Sequence, residues 1–255
     1  MFGGGFGSRV PVLYFAPGAG LRGGGGAAAL SDAMMLEAFA DSAALGGAAA
    51  DAVAARLAEG LRARGHASLV ATGGRSPGPV YDRLSEADLD WGHVAVTLSD
   101  ERQVDADSPD ANARLLRERL FRGRAAAARF LPLTDYAEPA LRKLMPFDAV
   151  MLGMGEDGHI ASLIPGSPVL AAGMDPDGAA LIAESPQGFG SPPVARITLT
   201  LAALLQSRAI FLLIAGEAKR QVIARAKAGE DLPVGAILRQ DRVPVRILWA
   251  PNHEG

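Results

Sequence analysis

The chain has 255 residues, 49% of them apolar, a formal net charge of −3 and no cysteine. That length suits one large α/β domain with a substantial core, and the near-balanced charge argues against a general nucleic-acid or membrane-surface binder. The missing cysteines exclude a disulfide scaffold, a thiol nucleophile and a cysteine metal site and fit a reducing cytoplasm, and no apolar run approaches the ~20 residues of a spanning helix.

Residues 1–33 are Gly-rich around one apolar island, VPVLYFA. They lack the charged start and apolar core of a secretory signal. This stretch reads as a flexible leader, with Met34 and Met35 where a domain extending to residue 255 begins. Residues 34–64 are Ala- and Leu-rich, proline-free and spaced for a helix, with Gly46 and Gly47 weakening its middle and dividing it. HASLVATGG then reads as a buried strand running into a glycine turn. Further strands are expected at 93–100, 128–133, 147–154, 195–200, 209–216 and 245–250. Helical patterns lie between them at 109–120, 138–145 and 216–229. Residues 172–195 read as an irregular excursion over the surface.

Near-continuous apolar strands alternating with amphipathic helices predict an α/β, Rossmann-like fold: a mostly parallel sheet with helices on both faces. Ligands of such sheets bind beyond the carboxyl ends of the strands. Four segments follow strands there, TGGRSPG, SDERQVD, GMGEDGH and GEAK, all rich in glycine or charge.

Two motifs mislead. Gly153, Gly155 and Gly158 spell the dinucleotide fingerprint G-x-G-x-x-G, whose glycine turn should open a long helix with an acid about 20 residues on. Here Pro165 and Gly166 stop any helix within two turns, and Glu156 and Asp157 would face a diphosphate with carboxylates. Gly74, Ser76 and Gly78 spell G-x-S-x-G, but a nucleophile elbow needs the backbone N–H after its serine and Pro77 has none. TGGRSP suits an anion instead, since glycines let amides approach a phosphate and Pro77 favours a first helical turn.

Of four histidines, His66 and His93 begin strand candidates and His253 lies in the C-terminal tail. His159 alone follows a strand in a glycine-dense loop beside a carboxylate, Asp157. Such a histidine takes a proton near neutral pH, and the acid can orient its ring. Asp100, Glu101 and Arg102 follow another strand, where Arg102 can grip an anion and Asp100 can orient a hydroxyl or water. Arg196 and Lys219 also flank strand ends, and with a glycine turn and a helix start they suggest a phosphate pocket. His159 and Asp157 are too few ligands for a metal, and none is expected.

Five blocks in this order, ATGGRSP, SDERQVDADSPDANARLL, FDAVMLGMGEDGHIASLIPGSP, ARITLTLAALLQSRAIFLLIAGEAKRQVI and LPVGAIL, resemble the 6-phosphogluconolactonase family over residues 36–250. The third block is the most specific. The resemblance implies hydrolysis of 6-phospho-D-glucono-1,5-lactone to 6-phospho-D-gluconate in the oxidative pentose phosphate pathway, without a cofactor, on the fold shared with glucosamine-6-phosphate deaminase. It implies that His159 is the general base and Asp157 its partner, that Asp100 and Arg102 belong to the site, and that Arg196 and Lys219, with Thr72, Gly73 and Gly74, hold the phosphate. The partner expected is a small sugar phosphate, with no nucleic acid and no membrane, bound by a monomer or small homo-oligomer. Arg75 stands where the family has a small hydroxyl residue, and Ile164 where it has phenylalanine. The rival on this fold, the sugar-phosphate deaminase/isomerase, carries a catalytic glutamate at the position of Ile164. A non-catalytic sugar-phosphate sensor could keep the cations and dispense with His159.

Overall fold

A computed structural model describes residues 36–74 and 76–251; the leader 1–33, Met34, Met35, Arg75 and His253 lie outside the described residues. In chain order the elements are β1 (Leu36–Ala38), α1 (Ser42–Arg64), β2 (Ala67–Ala71), α2 (Gly78–Leu84), β3 (Val94–Leu98), β4 (Asp100–Arg102), α3 (Asn112–Arg119), β5 (Arg129–Phe130), α4 (Glu138–Leu144) and β6 (Ala149–Leu152). There follow α5 (Leu170–Gly173), β7 (Ile182–Ser185), β8 (Arg196–Leu199), α6 (Leu201–Leu205), β9 (Ile210–Ala215), α7 (Glu217–Lys227), α8 (Pro233–Arg239) and β10 (Val245–Ala250).

Seven strands form one sheet in the order β1-β10-β9-β6-β2-β3-β5, and every pairing in it is parallel. The strands β2, β3 and β6 are buried at every residue, so both faces of the sheet centre are covered, as their near-continuous apolar runs require. After β2 the chain moves to β3 on one side, and after β6 its next strand in this sheet is β9 on the other. The carboxyl ends of β2 and β6 therefore flank a topological switch point, where α/β sheets open a crevice.

The helix expected from residue 34 starts later. Residues 36–38 are instead the edge strand β1, paired to β10 with Leu36 opposite Ile247. Glu37 is gripped by both Nε and Nη2 of Arg246, each at 2.7 Å. Asp41 then sets the helix start, accepting the Ala44 N–H at 2.7 Å as an N-cap. Nor do Gly46 and Gly47 divide α1, which runs unbroken for 23 residues. A Cβ on Gly46 would lie 2.6 Å from Pro79 Cβ, so this glycine lets α2 cross closely, and the packing gained outweighs its helix penalty of about 1 kcal/mol.

The excursion expected over 172–195 contains a strand. β7 pairs antiparallel with β8, and β8 with β4, in a separate three-stranded sheet. So 195–200, expected with the other strands, leaves the main sheet. The strand expected at 128–133 shortens to the two-residue β5. Among the described residues, no helix is long and apolar enough to cross a membrane.

Candidate active site

A cleft of about 200 Å³ opens at the switch point. Thr72, Gly73 and Gly74 bring the end of β2 to it, and Asp100 and Arg102 bring the chain after β3. His159 arrives on the loop after β6, Arg196 from the start of β8 and Lys219 from the first turn of α7. Asp157, the remaining residue singled out from the sequence, is not among the lining residues and bonds His159, which is.

His159 is held by its own loop. Met154 and Ile160 form an antiparallel bridge, the Gly155 N–H donates to the His159 carbonyl at 3.0 Å, and the Gly158 N–H donates to the Gly155 carbonyl at 3.1 Å. A Cβ on Gly155 would sit 2.2 Å from His159 Nδ1 and 2.4 Å from Asp157 Oδ1, so glycine is required beneath the ring. His159 Nδ1 lies 2.6 Å from Asp157 Oδ1. That hydrogen bond holds the Asp157 carboxyl below its ordinary range, against the opposing effect of burial. An ionised carboxylate only accepts, so Nδ1 donates and Nε2 of the neutral ring carries the lone pair. No helix follows Gly158 before the four-residue α5, and the dinucleotide pattern has no helix start on which to seat a diphosphate.

The Asp100-Glu101-Arg102 triplet sends its side chains to three different jobs. Asp100 is buried; its Oδ1 accepts from Ser99 Oγ at 3.0 Å and its Oδ2 from Ser162 Oγ at 2.6 Å. Glu101 turns away and caps α3, accepting the N–H groups of Asn112 and Ala113 at 2.7 Å each and that of Arg102 at 2.7 Å. Burial raises the Glu101 carboxyl above its usual range despite these donors. Arg102 donates from Nη1 to the Asp110 carbonyl at 2.7 Å.

Arg102 also stands directly opposite Arg196 across the β4–β8 ladder. Like charges in that relation repel, and Arg196 is only 3% exposed. Arg196 Nη2 donates to the Pro192 carbonyl at 2.8 Å, Nη1 lies 3.9 Å from Asp100 Oδ2, and burial lowers its pKa from the ordinary value. The Nε of each arginine is buried without a hydrogen-bond acceptor. The described lining of the cleft thus sets Arg102 opposite Arg196 with Asp100 as its one carboxylate. An added anion would relieve that imbalance.

Several residues had no assigned role in the sequence reading. Asn112 lines the cleft, donates from Nδ2 to the Asp100 carbonyl at 2.8 Å, and packs so closely on Gly73 that a Cβ there would lie 1.9 Å from its Oδ1. Ser162 is wholly buried between Asp100 and Arg196. No periodicity marks either one, because both act across the fold. Ser76 and Ser191 also line the cleft. His66 and His93 are exposed, and His93 Nδ1 lies 2.9 Å from Asp90. Among the described residues, no three His, Asp or Glu side chains gather as a metal site.

The family described as glucosamine-6-phosphate isomerases/6-phosphogluconolactonase matches residues 40–249. The 6-phosphogluconolactonase of Caulobacter vibrioides is 42% identical over 170 residues, 63% of this chain and 73% of that one. A crystal structure of a 6-phosphogluconolactonase from Shewanella baltica superposes with a TM-score of 0.79 at 37% identity, covering 85% of this chain and 97% of that one. A monomeric glucosamine-6-phosphate deaminase shares the fold at a TM-score of 0.64 and 20% identity, covering 85% of this chain and 96% of its own. This chain belongs to the glucosamine-6-phosphate isomerase/6-phosphogluconolactonase family.

Proposed function

We propose that the protein hydrolyses 6-phospho-D-glucono-1,5-lactone to 6-phospho-D-gluconate, the lactonase step of the oxidative pentose phosphate pathway, within one domain spanning residues 34–255. The observation that carries this reading is a histidine oriented by a carboxylate at 2.6 Å in the same cleft as three cations. His159 Nε2 takes a proton from a water, whose oxygen attacks the lactone carbonyl carbon. The resulting oxyanion collapses, the bond from that carbon to the ring oxygen breaks, the leaving alkoxide receives the proton from the histidinium, and the carboxylic acid formed ionises to the gluconate, releasing one proton to solvent. Atoms and charge balance without a covalent enzyme intermediate. Arg196 and Lys219, with the Thr72–Gly74 turn, hold the phosphate, and this remote binding energy positions the ring. Asp100 and Arg102 orient the sugar. The cysteine-free composition supports a reducing cytoplasm as the setting.

A coupled assay tests the reading: the lactone is generated from glucose 6-phosphate and its loss followed with and without the protein. Loss should accelerate well beyond the spontaneous rate, which is subtracted. Enzyme-free and enzyme-containing rates that coincide would overturn it.

A further inference from the structure

We infer that Tyr81, on α2, is a positioning residue that preforms the anion-binding turn at the end of β2. Its hydroxyl accepts the Thr72 backbone N–H at 2.9 Å and donates to the Thr72 carbonyl at 2.6 Å. This deepens the proposed function and rests on the reading that Thr72, Gly73 and Gly74 hold the substrate's phosphate.

Thr72 lies just past the last paired residue of β2, since the register with β3 ends at Ala71 opposite Leu98. It is only 4% exposed, and a buried N–H and C=O left unpaired would each cost free energy. With no strand residue to answer both groups, one side-chain hydroxyl does so, standing where a neighbouring strand's backbone would. Tyr81 itself is wholly buried. Burial pushes its hydroxyl above the usual tyrosine range, so it remains a donor at any working pH. The clamp is local in sequence: the partners are nine positions apart, and the intervening chain holds the glycine turn.

That turn is constrained from its other sides too. Gly73 lies against Asn112 with no room for a Cβ, and Gly74 has φ +91°. The Tyr81 N–H donates to the Pro77 carbonyl at 3.0 Å, fixing the start of α2. Thr72 Oγ1 accepts the Gly153 N–H at 3.4 Å, which joins the turn to the loop carrying His159. Tyr81 therefore holds a residue that joins the turn after β2 to the loop after β6. A turn fixed before ligand arrives avoids the ordering cost of building an anion site on demand.

The test compares wild type with Tyr81→Phe, which keeps the ring and removes the hydroxyl. For each, kcat and KM are measured on 6-phosphogluconolactone and on unphosphorylated gluconolactone. The variant should raise KM for the phosphorylated lactone about tenfold, as expected for unpaired polar groups in the cradle, and change the unphosphorylated one little. A fall on both substrates alike, or an unchanged preference in a folded variant, overturns the inference while leaving the proposed function intact. A wild type indifferent to the phosphate would instead overturn the reading beneath it. Amide exchange in wild type keeps the inference testable if the variant does not fold. The Thr72 amide should be protected to the level of the core strands without ligand. Rapid exchange that slows only when 6-phosphogluconate is added would show that the ligand, not Tyr81, builds the turn.

Discussion

One oxygen of Asp157 fixes His159 at two points: Oδ1 lies 2.6 Å from the ring Nδ1 and accepts the His159 backbone N–H at 3.2 Å. Ring tautomer and ring direction are set together, leaving Nε2 as the basic nitrogen. His159→Ala should lower kcat by about 10²–10⁴-fold, the usual worth of positioned acid–base catalysis. Binding of 6-phosphogluconate should persist, since the cations remain. A folded variant with undiminished turnover, after subtraction of the spontaneous rate, removes His159 from the mechanism.

The same contact predicts a pH dependence of stability. The hydrogen bond from His159 depresses the Asp157 pKa from its ordinary 3.8. A depressed acid stabilises the fold above its unfolded pKa, and that stabilisation is lost as pH falls through the folded value. The stability difference between wild type and Asp157→Asn should therefore be constant near neutrality and change below about pH 4, in the sense that wild type loses its advantage. Denaturation midpoints of both proteins between pH 2.5 and 6 measure it. A difference independent of pH would show that the contact does not hold the carboxylate ionised.

Gly155 supplies a test that leaves every functional group in place. An added methyl would overlap His159 Nδ1 and Asp157 Oδ1, at 2.2 and 2.4 Å. Gly155→Ala should push the ring off its carboxylate and cut kcat nearly as far as removing the histidine, while KM moves little. Activity close to wild type would mean that the loop shifts freely and that its tight turn is not what positions the base.

Much of this was legible in the chain itself. The buried strands could be read because β2, β3, β6 and β9 are near-continuous apolar runs, and the cleft because their following segments carry glycine and charge. What could not be read depends on contacts between distant segments. Nothing local says that residues 36–38 extend β10 and are held by Arg246, or that Gly46 exists for Pro79. β7 gains its definition from pairing with β8, across a Gly- and Pro-rich loop that hides it. In Asp100-Glu101-Arg102 the sequence assigns roles to the first and third residues and none to Glu101, which faces α3 because strand alternation sends neighbouring side chains to opposite faces.

Glu101 should accordingly matter for stability. Its two oxygens accept three backbone N–H groups at 2.7 Å each, two of them at the start of α3. Glutamine would replace one acceptor by an amide donor facing those donors. Glu101→Gln should cost about 1–3 kcal/mol, the penalty for stranding half-buried donors. It should appear as a lower denaturant midpoint with an unchanged slope. A midpoint within error of wild type would show that α3 does not depend on this cap.

The last prediction separates the two chemistries known on this scaffold. Deaminating glucosamine 6-phosphate requires ring opening and proton transfer between sugar carbons, so a second proton carrier must reach the sugar. By the family resemblance the deaminase glutamate falls on Ile164, which is 3% exposed, cannot move a proton and is absent from the cleft lining. The protein should hydrolyse 6-phosphogluconolactone and release no ammonia from glucosamine 6-phosphate, even at concentrations that exhaust the lactone. Ile164→Glu should not change that outcome. Ile164 Cδ1 and Arg196 Nη2 approach the same point above Gly190, to 2.9 and 3.1 Å, so a carboxylate at 164 would draw on Arg196 rather than on the sugar. The variant should show weaker 6-phosphogluconate binding, as the arginine is diverted, with ammonia release still at background. Ammonia released by wild type without lactonase activity would reverse the assignment. Ammonia released by Ile164→Glu alone would show that one proton carrier, and not the surrounding loop, divides the two enzymes.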